Sequence, residues 1–422
     1  MKKFFASLIA AVMFFTVSGA EKMNIRYPSV AKVMSKARKG GEITVVFLGG
    51  SLTWGANASA PNITSWRGRT MAELKKRYPA AHWEFADAAI GATGSSLGIF
   101  RLERDVFSHD PDLVILDFTL NDRLSGGVDG FADQKNQSYE ALIRTCLKRN
   151  VAVLPVFTAG REHVEHPDIN KWQRRLEHIR LFEAYQLEYA DILGVMHREY
   201  HTGRIDTDGL WAAEYFDSTH PHDRGYAVYT RCFFAEWERI EKSPVKPVIL
   251  PEKPLTGDSY NFFNRVELSK LSPEGWDIRM PVIVADSYDF MASRWIDKVI
   301  EQGNAVQCDS VKWQKRAGKE LFPFTFSFRG EQVILLAETL PESVAFTVSV
   351  NGGEPRKIAL RQVRCSQLHY AVLAENLAAD QNHFIRVVPQ LPPGDQPGIM
   401  RWSALLINGS QCAEITGWQN EK

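Results

Sequence analysis

Residues 43–53 read ITVVFLGGSLT, an apolar run followed by two glycines and a serine. The β-branched run Ile43–Leu48 has the length and composition of a strand that a parallel sheet buries on both faces. In open α/β sheets, ligands bind at the carboxyl ends of the strands, and glycines there allow a sharp turn. The stretch therefore predicts a parallel sheet with Ser51 at its functional edge, although an ordinary Gly-Ser turn has the same local pattern.

Strand-like and helical segments alternate along the chain up to residue 240. The further strand-like runs are Trp83–Ala86, Leu113–Phe118, Val151–Phe157 and a weaker Leu187–Val195. The helical patterns are Met71–Tyr78, Leu97–Val106, Tyr139–Lys148, Trp172–Tyr185 and Tyr226–Ile240. This alternation predicts an α/β fold whose sheet is covered by helices on both faces.

The proline-rich segment 244–256 divides the chain into two parts. Its prolines exclude a helix and predict an extended linker between a domain over residues 21–243 and a domain over residues 257–418. Short strand-like runs separated by turn sequences predict a β-sandwich for the second domain. These runs are Pro323–Phe328, Gln332–Leu336, Val344–Val350, Tyr370–Leu373 and Phe384–Val388.

The N-terminus has the pattern of an export signal. Lys2 and Lys3 precede the apolar run Phe4–Val17, and the small residues Ser18–Ala20 fit a cleavage site. The sequence therefore predicts a signal peptide over residues 1–20 and a periplasmic or extracellular protein. A buried N-terminal helix is the alternative interpretation of this run.

Composition excludes several classes of protein. The 422 residues are 45% hydrophobic and carry 50 basic and 50 acidic side chains, which excludes a disordered chain and a non-specific nucleic-acid binder. No later apolar run is long enough to span a membrane. The five cysteines have no metal-binding spacing, and a disulfide among Cys308, Cys365 and Cys412 stays open.

Three further loops carry polar groups at predicted strand ends. Asp217 lies three residues before His220 in DSTHPHDRGY, and such a carboxylate fixes the tautomer of an imidazole that acts as a base toward serine. Asn121, in TLND, and Gly91, in IGATG, can donate hydrogen bonds to an oxyanion. Each motif alone also fits a cap or a turn, but together with Ser51 they predict a serine hydrolase.

The four motifs, in this order, resemble those of the SGNH hydrolases, also called GDSL-like esterases, over most of the first predicted domain. The resemblance implies a flavodoxin-like three-layer α/β/α sandwich and a hydrolase that needs no metal or cofactor. It implies Ser51 as nucleophile, His220 as general base and Asp217 as the residue that orients His220. It also implies an oxyanion hole formed by the N–H groups of Ser51 and Gly91 and by the Asn121 side chain. The C-terminal part resembles a β-sandwich module attached to some secreted bacterial members.

The sequence departs from the family pattern at or near three of these motifs. Asp87 and Ala89, before the second motif, stand where relatives often have Asn and Gly. Ala92 therefore stays an alternative to Gly91 as the donor. Gly50 stands where the family has an acidic residue, and Thr119 stands where a glycine opens the third motif. Neither position carries a proton-transfer group. His222 competes with His220 for the role of base, but the spacing from Asp217 favours His220.

Three residues near these motifs are candidates for substrate binding. Trp54 and Trp66 flank the serine in sequence, and aromatic rings stack on the apolar faces of sugars, although core packing is the alternative. Arg101 has the charge to bind an anionic sugar, although a solvated, salt-bridged helix face is the favoured interpretation.

These features together predict an exported carboxylic ester hydrolase that removes acetyl groups from a polysaccharide or oligosaccharide through an acyl-enzyme. The expected partner is an acetylated glycan or another small ester, and the sequence does not indicate the oligomeric state. A lipase or thioesterase with the same triad is the first alternative. A non-catalytic glycan-binding protein on an esterase scaffold is the second.

Overall fold

The computed structural model of the chain describes residues 27–122, 135–211, 217–271, 276–278, 306–309, 323–359, 367–390 and 398–420. The predicted signal peptide lies outside these residues. None of the helices in the described ranges combines the length and the apolar character needed to cross a membrane.

The N-terminal half contains a parallel four-stranded sheet in the order β2-β1-β3-β4. Its strands are β1 (Glu42–Gly49), β2 (His82–Asp87), β3 (Leu113–Asp117) and β4 (Ala152–Pro155). Every residue of β3 is buried, which requires cover on both faces of the sheet. The predicted α/β fold is therefore confirmed.

Eleven helices accompany this sheet in the described residues. They are α1 (Val30–Arg38), α2 (Ser51–Trp54), α3 (Pro61–Thr64), α4 (Trp66–Arg77), α5 (Ser95–Gly98), α6 (Thr119–Asp122), α7 (Lys135–Lys148), α8 (Arg161–Glu165), α9 (Gln173–Tyr185), α10 (Ile192–His201) and α11 (Asp223–Lys242). Helix α11 contacts both α1 and α4, and helix α7 contacts both α5 and α9. The two groups give the layers of the sandwich.

The weaker predicted strand Leu187–Val195 is wrong for most of its length. Ala190 forms a single parallel bridge with Val156, and helix α10 begins two residues later. The side chain of Asp191 accepts a hydrogen bond from the Gly194 N–H at 2.9 Å and caps this helix. A short apolar run fits a strand or a helix, and here the cap favours the helix.

The C-terminal half is the predicted β-sandwich. One sheet has the order β11-β10-β13-β8-β15, and the other has the order β12-β9-β14-β7-β6, with β5 also paired to β14. The strands are β5 (Phe262–Glu267), β6 (Asp277–Ile278), β7 (Val306–Asp309), β8 (Phe324–Arg329), β9 (Gln332–Thr339), β10 (Phe346–Val350), β11 (Arg356–Ile358), β12 (Gln367–Ala374), β13 (Asn382–Pro389), β14 (Ile399–Gly409) and β15 (Glu414–Asn420), and the short helix α12 (Leu268–Leu271) follows β5. Trp402 of β14 meets Phe346 of β10 between the sheets, with ring centroids 5.1 Å apart.

The segment predicted as a linker is bound to helix α7. The Glu140 carboxylate accepts hydrogen bonds from the N–H groups of Leu255 and Thr256, both at 2.7 Å. Arg144 donates to the Pro251 carbonyl oxygen at 2.9 Å. These contacts fix the segment along the first domain, while the exact domain bounds stay predictions.

Three cysteines have described side chains, and two of these three are buried. Cys146 and Cys232 are buried free thiols, and Cys412 is also free, with its Sγ 3.2 Å from the carbonyl oxygen of Ala379. The side chain of Cys308 and all of Cys365 lie outside the described residues.

Candidate active site

The candidate nucleophile lies where β1 turns into α2. Gly50 separates the strand from the helix, and Ser51 is the first helical residue. A Cβ atom on residue 50 would lie 2.4 Å from the Asn121 side-chain oxygen, so only glycine lets the amide come this close. The departure from the family pattern at Gly50 therefore makes room for Asn121.

Ser51, His220 and Asp217 form a continuous hydrogen-bonded chain. The Ser51 Oγ lies 2.7 Å from His220 Nε2, and His220 Nδ1 lies 2.7 Å from Asp217 Oδ2. The side chains of His220 and Asp217 are 20% and 17% exposed. The three hydrogen-bonded side chains therefore lie at the protein surface, but most of their area is shielded from water. This is the geometry that transfers a proton from a serine hydroxyl to an imidazole.

The Asp217 carboxylate is held in the ionised form. Its Oδ1 accepts hydrogen bonds from the backbone N–H groups of Thr219 and His220 at 2.9 and 3.0 Å. Its Oδ2 accepts from the His220 ring and from the Asn57 amide, the latter at 3.1 Å. Burial alone would raise the pKa of Asp217, but the hydrogen bonds outweigh it and lower this pKa below its ordinary value.

Close packing positions the loop that carries the histidine. A Cβ atom on Gly225 would lie 2.3 Å from the Leu210 carbonyl oxygen, so this position needs glycine. The Tyr226 hydroxyl donates to the Ala56 carbonyl oxygen at 2.7 Å and joins α11 to the segment after α2. His222 is the N-cap residue of α11, and its backbone N–H donates to Leu210. His220, and not His222, makes the contacts with serine and aspartate.

The predicted oxyanion donors come from the same edge of the sheet. The Ile90 N–H donates to the Gly49 carbonyl oxygen at 2.9 Å, which continues the parallel pairing beyond β2 and brings Gly91 beside the end of β1. The Asn121 amide lies over Gly50, and the Ser51 N–H is at the N-terminus of α2. The role of these three donors stays a prediction.

The position of α2 also depends on Arg67 and Asp87, which no motif in the sequence assigns to the site. The Arg67 guanidinium donates to the Thr53 carbonyl oxygen at 3.2 Å and forms an ion pair with Asp87 at 2.8 Å. The Asp87 carboxylate also accepts from the Ala89 N–H at 3.0 Å. Arg67 and Asp87 thereby connect the nucleophile helix with the loop that leads to Gly91.

Thr119, which replaces a family glycine, has a partner on helix α9. Its hydroxyl lies 2.9 Å from Nδ1 of His178, a buried residue whose ring stacks on Tyr139 at 3.9 Å. Burial lowers the pKa of His178 well below its ordinary value, so the ring is neutral at physiological pH. This pair fixes the residue two positions before Asn121.

Two of the three predicted sugar contacts are wrong, because the side chains are buried. Trp66 is 0% exposed, and its Nε1 donates to the Leu52 carbonyl oxygen at 3.0 Å. Arg101 is 1% exposed and donates to the Ala88 carbonyl oxygen and to Asp105, both at 2.7 Å. Trp54 is 7% exposed, and its contact with substrate stays a prediction.

A cavity of about 290 Å³ is lined by residues that follow β3 and β4 and by residues of α9. Its lining combines an indole ring with polar and charged groups: Thr119, Leu120, Phe157, Thr158, His163, Trp172, Gln173, Arg174, Arg175, Glu177 and Leu193. Thr119 lies two residues before Asn121. The loop after Thr158 is joined to the triad loop, because the Arg161 N–H donates to the Ser218 carbonyl oxygen at 2.7 Å. The cavity is therefore lined by parts of the segments that lead to Asn121 and to the contact with Ser218.

Several solved structures share this fold. Two crystal structures of a two-domain esterase active on acetylated mannans, one of them with mannopentaose, superpose with a TM-score of 0.64 each. The first structure is 20% identical to this chain, and the match covers 91% of this chain and 95% of the esterase. The structure with mannopentaose is 19% identical, and the match covers 92% of this chain and 97% of the esterase. An acetylxylan esterase from Geobacillus stearothermophilus matches 46% of this chain and 93% of its own, at 17% identity and a TM-score of 0.39.

Part of the first domain is similar to a known family. No curated protein matches the chain. Residues 47–228 match the GDSL-like Lipase/Acylhydrolase family, and this range contains Ser51, Asn121, Asp217 and His220. Residues 47–228, from the end of β1 into α11, are therefore the part of the chain that is similar to the GDSL-like lipase/acylhydrolase family.

Proposed function

We propose that this protein is an exported serine esterase that removes acetyl groups from a polysaccharide or oligosaccharide. The observation that carries the proposal is the unbroken chain of 2.7 Å contacts from the Ser51 hydroxyl through His220 to Asp217. Export is supported by the sequence of residues 1–20, which has the pattern of a signal peptide.

The proposed reaction proceeds through an acyl-enzyme. His220 Nε2 accepts the hydroxyl proton as Ser51 Oγ attacks the acetyl carbonyl carbon. The carbonyl oxygen becomes an oxyanion that accepts hydrogen bonds from Asn121 and from the N–H groups of Ser51 and Gly91. The C–O bond to the sugar breaks, and His220 returns the proton to the sugar oxygen. Water then repeats the sequence on the acetyl-serine and releases acetate.

The choice of a glycan substrate rests on two observations. The cavity lined by Thr119 and Trp172 has the mixture of one indole ring and several hydrogen-bonding groups that suits a sugar ring. The two-domain esterase whose two crystal structures share this fold is active on acetylated mannans. A lipase needs a long apolar groove for an acyl chain, and the charged groups of this cavity do not suit one.

The test is acetate release from a panel of acetylated mannan, xylan and pectin, with long-chain acyl esters and acyl thioesters as alternatives. We expect at least one acetylated polysaccharide to exceed the long-chain substrates in kcat/KM. A preference for long-chain esters would support the lipase alternative. The absence of both hydrolysis and labelling of Ser51 by a phosphonate probe would support a non-catalytic glycan-binding protein.

Replacing Asn121 with alanine removes a proposed oxyanion donor. Because this hydrogen bond strengthens as charge develops on the oxygen, we expect kcat to fall by about 10²–10³-fold with a small change in KM. Steady-state acetate release from a soluble acetyl ester measures both constants. Asn261→Ala, at an exposed position in the turn before β5, is the matched control. A normal kcat in a folded Asn121→Ala protein would remove the side chain from the oxyanion hole.

Replacing Trp172 with alanine tests the cavity as a sugar site. A stacked aromatic contact is worth about 0.5–1.5 kcal/mol beyond the area it buries, so we expect KM for the acetylated polysaccharide to rise about 2- to 13-fold. The kinetics on p-nitrophenyl acetate, which has no sugar ring, should stay within about twofold. An equal loss on both substrates would show that Trp172 supports the fold and not the glycan.

A further inference from the structure

Asp117, the last residue of β3, is a buried carboxylate next to the nucleophile loop. It is 3% exposed. Its Oδ2 accepts a hydrogen bond from the Thr53 hydroxyl at 2.7 Å, and its Oδ1 accepts one from the Thr158 hydroxyl at 2.9 Å. Among the described residues, no cation contributes to its electrostatic environment. A carboxylate buried without a counter-ion is unfavourable for stability and points to another use.

The Thr53 contact anchors a very short helix. Helix α2 has only four residues. In its single turn, the Trp54 N–H donates a hydrogen bond to the Gly50 carbonyl oxygen at 3.0 Å, and the Gly55 N–H donates one to the Ser51 carbonyl oxygen at 2.9 Å. One turn is not stable on its own, so contacts from outside determine its position. Thr53 is fully buried, and its hydroxyl is the side-chain anchor two residues after the serine.

The Thr158 contact leads to the other half of the triad. Thr158 follows β4, and the same loop continues to Arg161, whose N–H donates to the Ser218 carbonyl oxygen at 2.7 Å. Ser218 directly follows the triad aspartate in sequence. One carboxylate of β3 is therefore bonded to the helix of the nucleophile and to the loop that supports the base.

We propose that Asp117 is a positioning residue, which holds Ser51 at hydrogen-bonding distance from His220 through the hydroxyls of Thr53 and Thr158. The inference rests on the proposed function, because it takes Ser51 as the nucleophile. A carboxylate suits this task, since its two oxygens accept both hydroxyl protons at once. A displacement of about 1 Å at a reacting atom is enough to lower turnover by about 10²-fold.

The ionisation of Asp117 agrees with this assignment. Burial raises the pKa of Asp117 to about 6, against the lowering effect of hydrogen bonds from the two hydroxyls and from the Thr158 backbone N–H. The titratable groups around it are the phenols of Tyr139, Tyr226 and Tyr229, and burial raises their pKa values, so they are neutral. With an unfolded-state pKa of about 3.9, the folded protein binds an extra proton between about pH 4 and 6. The stability contribution of Asp117 therefore falls as pH rises through this window.

The test compares Thr53→Val, Thr53→Ser and Thr70→Val in the purified protein. Valine keeps the branched shape of threonine and removes the hydroxyl, whereas serine keeps the hydroxyl. Thr70 is the matched control, because it is buried in α4 and its hydroxyl has no hydrogen-bond partner among the described residues. We expect Thr53→Val to lower kcat by about 10- to 100-fold with KM within about twofold. Thr53→Ser should recover most of this loss, and Thr70→Val should match the wild type.

The pH profile supplies a readout that a packing defect would not change. Thr53 donates one of the hydrogen bonds that lower the pKa of Asp117, so its removal raises that pKa. A proton on Asp117 prevents the protonated oxygen from accepting a threonine hydroxyl. We therefore expect the acid limb of kcat in Thr53→Val to begin at a higher pH than in the wild type and in Thr70→Val.

A wild-type kcat in folded Thr53→Val, or an equal loss in Thr70→Val, would overturn the proposal. If Thr53→Val does not fold, Asp117→Asn tests the proposal instead. Asparagine has the shape of aspartate, but its amide has one acceptor oxygen where the carboxylate has two. We expect a reduced kcat in this variant, and a normal kcat would overturn the proposal. Failure of a phosphonate probe to label Ser51 in the wild type would instead reject the proposed function.

Discussion

Replacing Ser51 with alanine is expected to lower acetate release by about 10⁴–10⁶-fold, because the group that forms the acyl-enzyme is lost. The fold should be unaffected. Ser51 is half-buried, and water can replace its hydroxyl beside the partly exposed His220 ring, so the free energy of unfolding should change by about 1 kcal/mol or less. Acetate release and thermal unfolding, measured on the same preparation, separate the two effects.

Ser108→Ala is the matched control for this experiment. Ser108 is exposed, and its hydroxyl donates to the Arg104 carbonyl oxygen far from the triad in sequence, so activity should be unchanged. A phosphonate probe should label the wild type and Ser108→Ala and leave Ser51→Ala unlabelled. Substantial acetate release by a pure, folded Ser51→Ala protein would contradict the assignment of the nucleophile.

The central strands were predictable because their burial is visible in the sequence. Strand β3 is buried at every position and reads as a continuous apolar run, and its short length and β-branched residues favour a strand over a buried helix. The strand β14, Ile399–Gly409, was not predicted, although it lies in the middle of its sheet. Its residues Ala404, Leu405 and Leu406 favour helices intrinsically, and pairing with strands on either side overrides that preference.

The chemistry of the site was predictable where it depends on local spacing. The three-residue separation of Asp217 and His220 sets their contact directly, and a glycine before Ser51 indicates a turn. The supports of the site depend on contacts between distant segments, such as Thr53 with Asp117 or Arg67 with Asp87. No periodicity in the sequence reports such contacts, so these residues become visible only in the structure.

The two incorrect substrate contacts have the same cause, because the sequence does not show which distant segments a side chain contacts. Trp66 lies near Ser51 in sequence, but as the first residue of α4 its ring points into the core, where it meets Phe47 edge-on with centroids 5.9 Å apart. Trp172, which lines the cavity, is distant in sequence from every catalytic motif. Proximity along the chain therefore does not indicate which side chains face a substrate.

Replacing Asp217 with asparagine is expected to lower kcat by about 10⁴-fold while leaving KM nearly unchanged, because an amide fixes the wrong tautomer of the base. Initial rates on a soluble acetyl ester give both constants. Asp110→Asn is the matched control, since Asp110 is an exposed turn residue with a φ of 48°, a conformation that asparagine also adopts. A turnover within tenfold of the wild type in a folded Asp217→Asn protein would contradict the triad.

The hydrogen bonds around residue 217 determine which way the new amide turns. The Oδ1 position accepts two backbone N–H groups, from Thr219 and His220, so the amide oxygen must occupy it. The NH₂ group then faces His220 Nδ1, which has to accept a hydrogen bond and therefore loses its proton to Nε2. A protonated Nε2 cannot remove the hydroxyl proton of Ser51, although the two atoms remain in contact. In the wild type, the Asn57 amide donates to the Asp217 carboxylate. In the variant, Asn57 can turn its own amide so that its oxygen accepts from the new NH₂ group. The fold is therefore kept, although the base is lost.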